Sequence, residues 1–271
     1  MEHLNNKTAL VTSATRGIGL ACARKLAEDG AHVFLAARRP EAAREICREA
    51  EARGQRMTAV YFDAAKPETY AAMVEETAAR AGNIHILVNN FGMGRPAEDL
   101  DLVSGSEEAF FSILEMNLGS VYRISRLVIP HMPAGGSIVN ISSIGGLIPD
   151  VTRIGYGVSK AAVNNITRQI ALQYARRNIR CNAVLPGLTA TEAALKNIPA
   201  AYRERFIEHV PLGRMGTPED IANAVAFLAG DGAAYITGQL LNVAGGYGLG
   251  LPQYREIMEA QKEKGDGTDG R

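Results

Sequence analysis

Short runs of apolar, β-branched residues alternate with longer amphipathic segments along most of the chain. The apolar runs occupy residues 8–12, 32–36, 57–62, 84–88, 137–141, 179–185 and 239–243. Each run has the length and composition of a buried β-strand. Between the runs, apolar residues recur at helical spacing, as at Ile18, Cys22 and Leu26. The pattern predicts an α/β fold: a single doubly wound Rossmann domain whose seven-stranded parallel sheet carries helices on both faces.

Nothing in the 271 residues resembles a linker between domains. We therefore expect one domain over residues 1–260. A segment at about 190–210 would form a lid over the substrate, and residues 261–271, rich in Lys, Glu, Asp and Gly, would form a disordered tail.

Composition excludes several classes of function. Lys plus Arg and Asp plus Glu number 29 each, so the net charge favours a small-molecule partner over a nucleic acid. No run approaches the roughly 18 apolar residues of a membrane helix, and the first ten residues lack the charged, apolar and cleavage regions of a signal peptide. We therefore expect a cytoplasmic protein without a membrane partner. Cys22, Cys47 and Cys181 are far apart and form no CxxC pair, which favours packing thiols over a disulfide framework or a metal site.

A glycine-containing turn follows the first predicted strand and opens the first predicted helix. Residues 12–19 read T-S-A-T-R-G-I-G. Glycines at such a turn let a pyrophosphate approach the positive end of the helix. A turn whose glycines serve packing alone is the alternative, and the strand–turn–helix context disfavours it. The residues predicted to bind a dinucleotide here are Ser13, Thr15, Arg16, Gly17, Ile18 and Gly19.

The end of the second strand indicates which dinucleotide is bound. Ala37 stands where an NAD-dependent protein usually places an acidic residue for the ribose hydroxyls. Arg38, together with Arg16, can instead hold a 2′-phosphate, because a guanidinium matches phosphate geometry. The cofactor is therefore predicted to be NADP(H). The alternative is that Arg38 is a solvated surface charge.

Polar residues also follow the third and fourth predicted strands. Asp63, followed by Ala64, can accept a hydrogen bond from an adenine amino group, and Asn90 and Gly92 follow the fourth strand. Ligands collect at the carboxyl ends of the strands in open α/β sheets. We predict that these four residues contact the cofactor, although each is also a common turn residue.

Tyr156 and Lys160 are four residues apart at the start of a long amphipathic segment, so both face the same side of a helix. A nearby cation favours the tyrosine phenolate and moves its pKa toward the range of general acid–base catalysis. Ser143 lies at the end of the fifth predicted strand, 13 residues before Tyr156, where its hydroxyl can donate to a substrate carbonyl. Strand-end hydrogen bonding is the alternative role of Ser143.

Taken together, the glycine turn, Asp63, Asn90, Ser143 and the Tyr156–Lys160 pair resemble the short-chain dehydrogenase/reductase family over about residues 5–250. The resemblance implies that Tyr156 transfers the proton, that Lys160 contacts the nicotinamide ribose and lowers the tyrosine pKa, and that Ser143 orients the carbonyl. It further implies a water-linked proton relay at Asn117 and a nicotinamide-binding loop with contacts from Pro186, Gly187, Thr189 and Thr191. A homotetramer built from the helices that carry Asn117 and Tyr156 is also implied.

The glycine turn departs from the family pattern at one position. Ser13 stands where the family usually has Gly. If that position requires a positive φ, the turn is strained, because only Gly adopts this conformation without steric cost.

Further stretches, at residues 60–64, 149–154, 173–176 and 251–254, resemble bacterial bile-acid 7α-hydroxysteroid dehydrogenases. This resemblance implies a small-molecule substrate, a bile acid or other steroid, whose 7α-hydroxyl is oxidised beside Ser143, Gly145 and Tyr156. A carboxylated side chain of the substrate would meet Arg153, Lys196 or Arg203. A 12α- or 3-hydroxysteroid dehydrogenase, a 3-oxoacyl reductase and a non-catalytic NADP-sensing module remain as alternatives.

Overall fold

Seven parallel strands form one sheet in the computed structural model, which describes residues 4–250 and 254–265. The strands are β1 (Thr8–Thr12), β2 (His32–Ala37), β3 (Met57–Tyr61), β4 (Ile86–Asn89), β5 (Ser137–Ile141), β6 (Arg180–Pro186) and β7 (Leu240–Val243). Their order in the sheet is β3-β2-β1-β4-β5-β6-β7. The predicted fold class is therefore confirmed, and each predicted strand agrees with an observed strand to within two residues at either end.

Helices cover both faces of the sheet. They are α1 (Gly17–Glu28), α2 (Pro40–Glu51), α3 (Glu68–Ala81), α4 (Glu107–Leu114), α5 (Ser120–Val128), α6 (Ile154–Tyr174), α7 (Glu192–Asn197), α8 (Ala200–Glu208), α9 (Pro218–Ala229) and α10 (Tyr254–Gly265), with a π-helical turn at Glu115–Gly119 between α4 and α5. One face buries apolar side chains of α1, α2 and α9, and the other buries those of α3, α5 and α6. Within the described ranges, no helix is long and apolar enough to cross a membrane.

The strand order creates a crevice at one edge of the sheet. Successive strands run outward from β1 through β2 to β3, and the chain then returns to place β4 on the other side of β1. Because the loops after β1 and β4 leave in opposite directions, a gap opens between them at the carboxyl ends of the strands. The loops after β5 and β6 reach the same edge. All the predicted site residues of these loops therefore lie at one edge of the sheet.

The lid and tail segments differ in detail from the predictions. The predicted lid at 190–210 contains two helices, α7 and α8, separated at Pro199. Helix α10 continues through residues 261–265, which we expected to be disordered, while 266–271 and 251–253 lie outside the described residues. Arg255 of α10 pairs with Glu208 of α8 at 2.5 Å and with Glu259 at 2.7 Å. These ion pairs attach the start of α10 to α8 and support its first turns.

All three cysteines are free thiols. Cys22 and Cys181 are buried, and Cys47 is half-buried. Burial raises the pKa of the Cys22 thiol to about 12, as expected for a thiol that packs and does not react. Among the described residues, no group of three or more His, Cys, Asp or Glu side chains is arranged to hold a metal ion.

Candidate active site

A cavity of about 290 Å³ lies at the carboxyl edge of the sheet between the loops after β5 and β6; we call it the Tyr156 cavity. Ser143 and Gly145 from the β5 loop and Tyr156 from α6 form one end of it. The Ser143 hydroxyl accepts from the Gly145 N–H at 3.1 Å and lies close enough to the Tyr156 hydroxyl to lower its pKa. The structure thus brings together the three residues predicted to contact the substrate.

The environment of Tyr156 determines its proton affinity. Burial raises the pKa of the Tyr156 hydroxyl above its usual value, and this effect exceeds the opposing effects of the Ser143 hydrogen bond and the nearby Arg153 guanidinium. The Arg153 Cζ atom lies 5.9 Å from the centre of the tyrosine ring. Desolvation thus outweighs the Arg153 cation, and the lowering of this pKa by Lys160 stays a prediction. At neutral pH the hydroxyl holds its proton.

Lys160 is buried beneath the Tyr156 ring. Its Nζ atom lies 5.7 Å from the ring centre and donates a hydrogen bond to the Ile141 carbonyl at 2.9 Å. Burial lowers the pKa of Lys160 to about 8. A Cβ atom on Gly92 would lie only 3.0 Å from Nζ, so glycine leaves space for the ammonium group beside the loop after β4.

Asn117 lies in the π-helical turn, where an extra residue in the helical turn changes the direction of its side chain. Its Oδ1 accepts from the Met93 N–H at 2.8 Å, and its Nδ2 donates to the Met93 carbonyl at 3.0 Å and to the Ser159 hydroxyl at 2.9 Å. The fully buried amide thus links the loop after β4 to α6. These contacts hold two parts of the site together, and the proton relay stays a prediction.

A second depression, of about 370 Å³, lies beside the glycine turn; we call it the glycine-turn cleft. It is lined by seven residues predicted to bind the cofactor: Ser13, Thr15, Arg16, Arg38, Asp63, Ala64 and Gly92. Arg39 and Phe91 lie in the same lining, although neither was predicted to be part of the site. Three guanidinium groups therefore face one cleft, and Arg16, Arg38 and Arg39 are all exposed.

The turn itself is held by hydrogen bonds from the loop after β4. The Asn90 amide donates to the carbonyls of Thr12 at 3.0 Å and Ser13 at 3.2 Å. A Cβ atom on Gly19 would lie 2.4 Å from Nδ2 of Asn90, so only glycine allows this approach. Asn90 therefore supports the turn, as its alternative interpretation suggested. Ser13 has φ 54°, and the predicted strain at this position is present.

The loop after β6 joins the two depressions. Pro186, Gly187 and Thr189 line the Tyr156 cavity. Thr191 caps α7 by accepting from the Ala194 N–H at 3.1 Å, and its methyl group would contact a Cβ atom on Gly17 at 3.3 Å. The predicted nicotinamide loop thus begins at the Tyr156 cavity and ends beside the glycine turn.

Comparison with known proteins identifies the chain. A family model described as enoyl-(acyl carrier protein) reductase matches residues 13–248. A 7alpha-hydroxysteroid dehydrogenase of Paraclostridium sordellii is 58% identical over 261 residues, which cover 95% of this chain and 98% of the relative. The chain belongs to the short-chain dehydrogenase/reductase family. The predicted resemblance is confirmed, and the protein is an oxidoreductase.

Other members of the family support this assignment. A 7alpha-hydroxysteroid dehydrogenase of Clostridium sardiniense is 53% identical, covering 94% of this chain and 98% of the relative. The crystal structure of a dehydrogenase/reductase from Sinorhizobium meliloti 1021 superposes with a TM-score of 0.84 at 32% identity, covering 91% of this chain and 97% of that one.

Short-chain dehydrogenase/reductases use a nicotinamide cofactor, and the glycine-turn cleft suits one. The N-terminus of α1 has no side-chain cap and no acidic residue in its first turn. Its free N–H groups therefore offer a site for an anion such as a pyrophosphate. Asp63, Gly17 and the arginines at the rim of the cleft would hold the remainder of a dinucleotide.

Two tyrosines in the Tyr156 cavity were missed by sequence reasoning. Tyr202 of α8 and Tyr247, which follows β7, both line the cavity, and the Tyr247 ring stacks on Phe206 with ring centres 4.4 Å apart. Of the cations predicted to meet a substrate carboxylate, Arg153 lines the cavity, whereas Lys196 and Arg203 do not. No local pattern marks Tyr247, because its stacking partner is 41 positions away.

Proposed function

We propose that this enzyme interconverts the 7α-hydroxyl group and the 7-ketone of bile acids. The support is the near full-length identity of 58% and 53% to two proteins named 7alpha-hydroxysteroid dehydrogenase. The Tyr156 cavity suits a rigid hydrocarbon, because apolar walls meet a polar end that can orient one oxygen atom. The large apolar side chains in its lining are those of Ile144, Ile148, Leu188, Ile198 and Phe206.

Tyr156 carries the proton in this proposal. When bound, the nicotinamide supplies or accepts the hydride at the carbon atom that bears the oxygen. In reduction, the Tyr156 hydroxyl donates its proton to the ketone oxygen, and Ser143 donates a hydrogen bond that stabilises the developing negative charge there. In oxidation, the Tyr156 phenolate takes the proton of the alcohol. Because burial raises the Tyr156 pKa, we expect the rate of oxidation to increase with pH.

We infer that the cofactor is NADP(H). Ala37 supplies no carboxylate for the ribose hydroxyls, and Arg16, Arg38 and Arg39 line the same cleft. A 2′-phosphate adds two negative charges that these guanidinium groups can pair with. The ratio of kcat/KM for NADP to that for NAD tests the inference directly, and a ratio below one would contradict it.

The substrate is tested with four bile acids in separate assays of NADPH formation. Cholate and chenodeoxycholate carry a 7α-hydroxyl, deoxycholate carries none at position 7, and ursodeoxycholate carries a 7β-hydroxyl. We expect turnover of the first two alone. In parallel, Tyr156→Phe should abolish turnover and retain NADP binding, since it removes only the proton carrier.

Other outcomes of the same panel identify the alternatives. Turnover of cholate and deoxycholate alone would indicate a 12α-hydroxysteroid dehydrogenase, and turnover of all four a 3-hydroxysteroid dehydrogenase. Reduction of a 3-oxoacyl thioester in preference to every steroid would indicate a 3-oxoacyl reductase. Tight NADP binding without turnover of any of these compounds would favour a cofactor-sensing module.

We further propose that the enzyme assembles as a homotetramer through the face formed by α4, α5 and α6. These helices present large apolar side chains to solvent in the single chain: Phe111, Tyr122, Val158 and Leu172. Exposed apolar side chains on neighbouring helices are typical of an interface between subunits. The molar mass in solution, measured by light scattering, tests the proposal.

A further inference from the structure

The first turn of α6, which carries Tyr156, is anchored by two residues of the loop that follows β4. A helix leaves its first four backbone N–H groups without partners inside the helix. In α6, all four donate to Asp99 or Leu100. The bonds run from Arg153 N to Asp99 O at 2.9 Å, from Ile154 N to Leu100 O at 3.3 Å, from Gly155 N to Asp99 Oδ1 at 2.7 Å and from Tyr156 N to Asp99 Oδ2 at 2.9 Å.

The sequence of α6 offers no substitute for this anchor. Arg153, at the N-cap position, makes no side-chain cap and has a left-handed backbone with φ 61°, and the first turn contains no acidic residue. Asp99 is 2% exposed, so its carboxylate depends on these two N–H groups in place of water. A Cβ atom on Gly155 would lie 3.1 Å from Oδ1 of Asp99 and 3.2 Å from the Cα atom of Phe110. Glycine at 155 therefore allows the carboxylate to approach the helix.

We propose that Asp99 is a positioning residue for proton transfer by Tyr156. Asp99 does not line the Tyr156 cavity, so it acts through the backbone N–H groups that it binds. Tyr156 is the third residue of α6, and any displacement of the first turn therefore moves its hydroxyl relative to Ser143. Near its start, the loop that contains Asp99 carries Gly92 and Met93, which line the glycine-turn cleft. The carboxylate thus fixes the proton carrier relative to the cofactor side of the site.

This inference rests on the role of Tyr156 in the proposed function, and Asp99→Asn tests it. Asparagine has the same shape but only one oxygen acceptor, so one N–H of the first turn loses its partner. We expect kcat per cofactor-binding site to fall about tenfold, because small displacements of a reacting group are costly. The KM values for NADP and for the alcohol should stay within about twofold of wild type, since Asp99 lines neither the Tyr156 cavity nor the glycine-turn cleft.

Asp101→Asn is the matched control. Asp101 stands in the same loop and also accepts from two backbone N–H groups, those of Val103 at 2.9 Å and Ser104 at 3.0 Å. Both groups belong to its own loop, so the bonds do not reach α6. Asp101→Asn should therefore retain the wild-type kcat. A wild-type kcat in Asp99→Asn, or an equal fall in both variants, would overturn the proposal.

Two further measurements test the proposal if Asp99→Asn does not fold or if the wild type oxidises no alcohol. If Asp99→Asn does not fold, Gly155→Ala, which keeps the carboxylate but displaces it, must show the same selective fall in kcat, and an unchanged kcat overturns the proposal. If the wild type oxidises no alcohol, the proposed function fails, and a crystal structure of Asp99→Asn then decides this inference. A displaced first turn of α6 would support it, and an unmoved first turn would refute it.

Discussion

Two residues without the conformational freedom of glycine adopt a left-handed backbone in the loops that frame the site. Ser13 has φ 54° in the glycine turn, and Arg153 has φ 61° immediately before α6. The left-handed conformation of each residue costs about 1 kcal/mol relative to an unstrained backbone. Such conformations persist only where neighbouring contacts fix them, as the Asn90 amide does at Ser13 and the Asp99 carbonyl does at Arg153. Backbone strain is thus present both in the glycine turn and in the loop that precedes α6.

Arg38→Asp should reverse the preference for NADP. The variant removes one cation from the glycine-turn cleft and places a carboxylate where it can accept from ribose hydroxyls. The ratio of kcat/KM for NADP to that for NAD should fall about 10- to 100-fold, as expected for the loss of a charge-assisted contact. Steady-state kinetics with both cofactors measure it. Arg53→Asp, at an exposed position outside the cleft, should leave the ratio unchanged.

Lys160→Met should make stability less dependent on pH. The Lys160 pKa falls from 10.5 to about 8 on folding, so between these values the unfolded chain binds more protons than the folded one. The stability of the wild type therefore rises with pH in this window. Between about pH 8 and 10 the free energy of unfolding of the wild type should gain about 2 to 3 kcal/mol relative to Lys160→Met.

Urea unfolding at pH 7, 8, 9 and 10 checks this prediction. Lys66→Met removes an exposed ammonium group and serves as the control, and its difference from the wild type should be the same at every pH. Parallel pH profiles for Lys160→Met and the wild type would show that the buried ammonium group keeps its ordinary pKa.

At the scale of elements, the hydrophobic pattern predicts the bounds of the strands well but does not predict the two helices of the 190–210 segment. Strands β1 and β5 are buried along their whole length and consist mainly of apolar residues, so their ends are visible in the sequence, whereas β4 begins two residues later than predicted. The segment predicted to be a lid is amphipathic and short, and the break at Pro199 turns it into two helices. Its packing depends on Tyr247 and α10, which are distant in sequence. The π-helical turn at Asn117 has no periodicity of its own and was missed as well.

Tyr247→Ala should weaken substrate binding by loosening α8, part of the predicted lid. Tyr247 stacks on Phe206 of α8 with an angle of 11° between the rings, and both line the Tyr156 cavity. Loss of an aromatic pair of this kind costs about 0.5 to 1.5 kcal/mol beyond the lost area. We expect KM for the alcohol to rise about three- to tenfold while KM for NADP is unchanged. Tyr235→Ala, at a fully exposed position, should change neither constant, and an unchanged KM for the alcohol in Tyr247→Ala would show that the lid does not need the stack.

For the whole molecule, the doubly wound parallel sheet could be predicted because alternating strands and helices in a right-handed parallel arrangement leave few topologies. The position of the active site could be predicted from this sheet, since Ser143 follows β5 and Pro186 ends the neighbouring strand β6. The sequence alone does not indicate a role for Asp99, because a single acidic residue in a loop carries no periodic or motif signal. Its role depends on a contact with α6 that only the folded chain brings about.

Leu172→Glu should dissociate the proposed tetramer. Leu172 is 80% exposed near the end of α6, so a carboxylate there is tolerated in the single chain but would be buried without a partner in an interface between subunits. It lies 16 residues after Tyr156, roughly 24 Å along the helix, so the active site itself should remain intact. Light scattering should report a smaller molar mass for the variant than for the wild type. Val103→Glu, at a 91% exposed position in the loop before α4, should keep the wild-type mass, and an unchanged mass for Leu172→Glu would exclude this part of α6 from the interface.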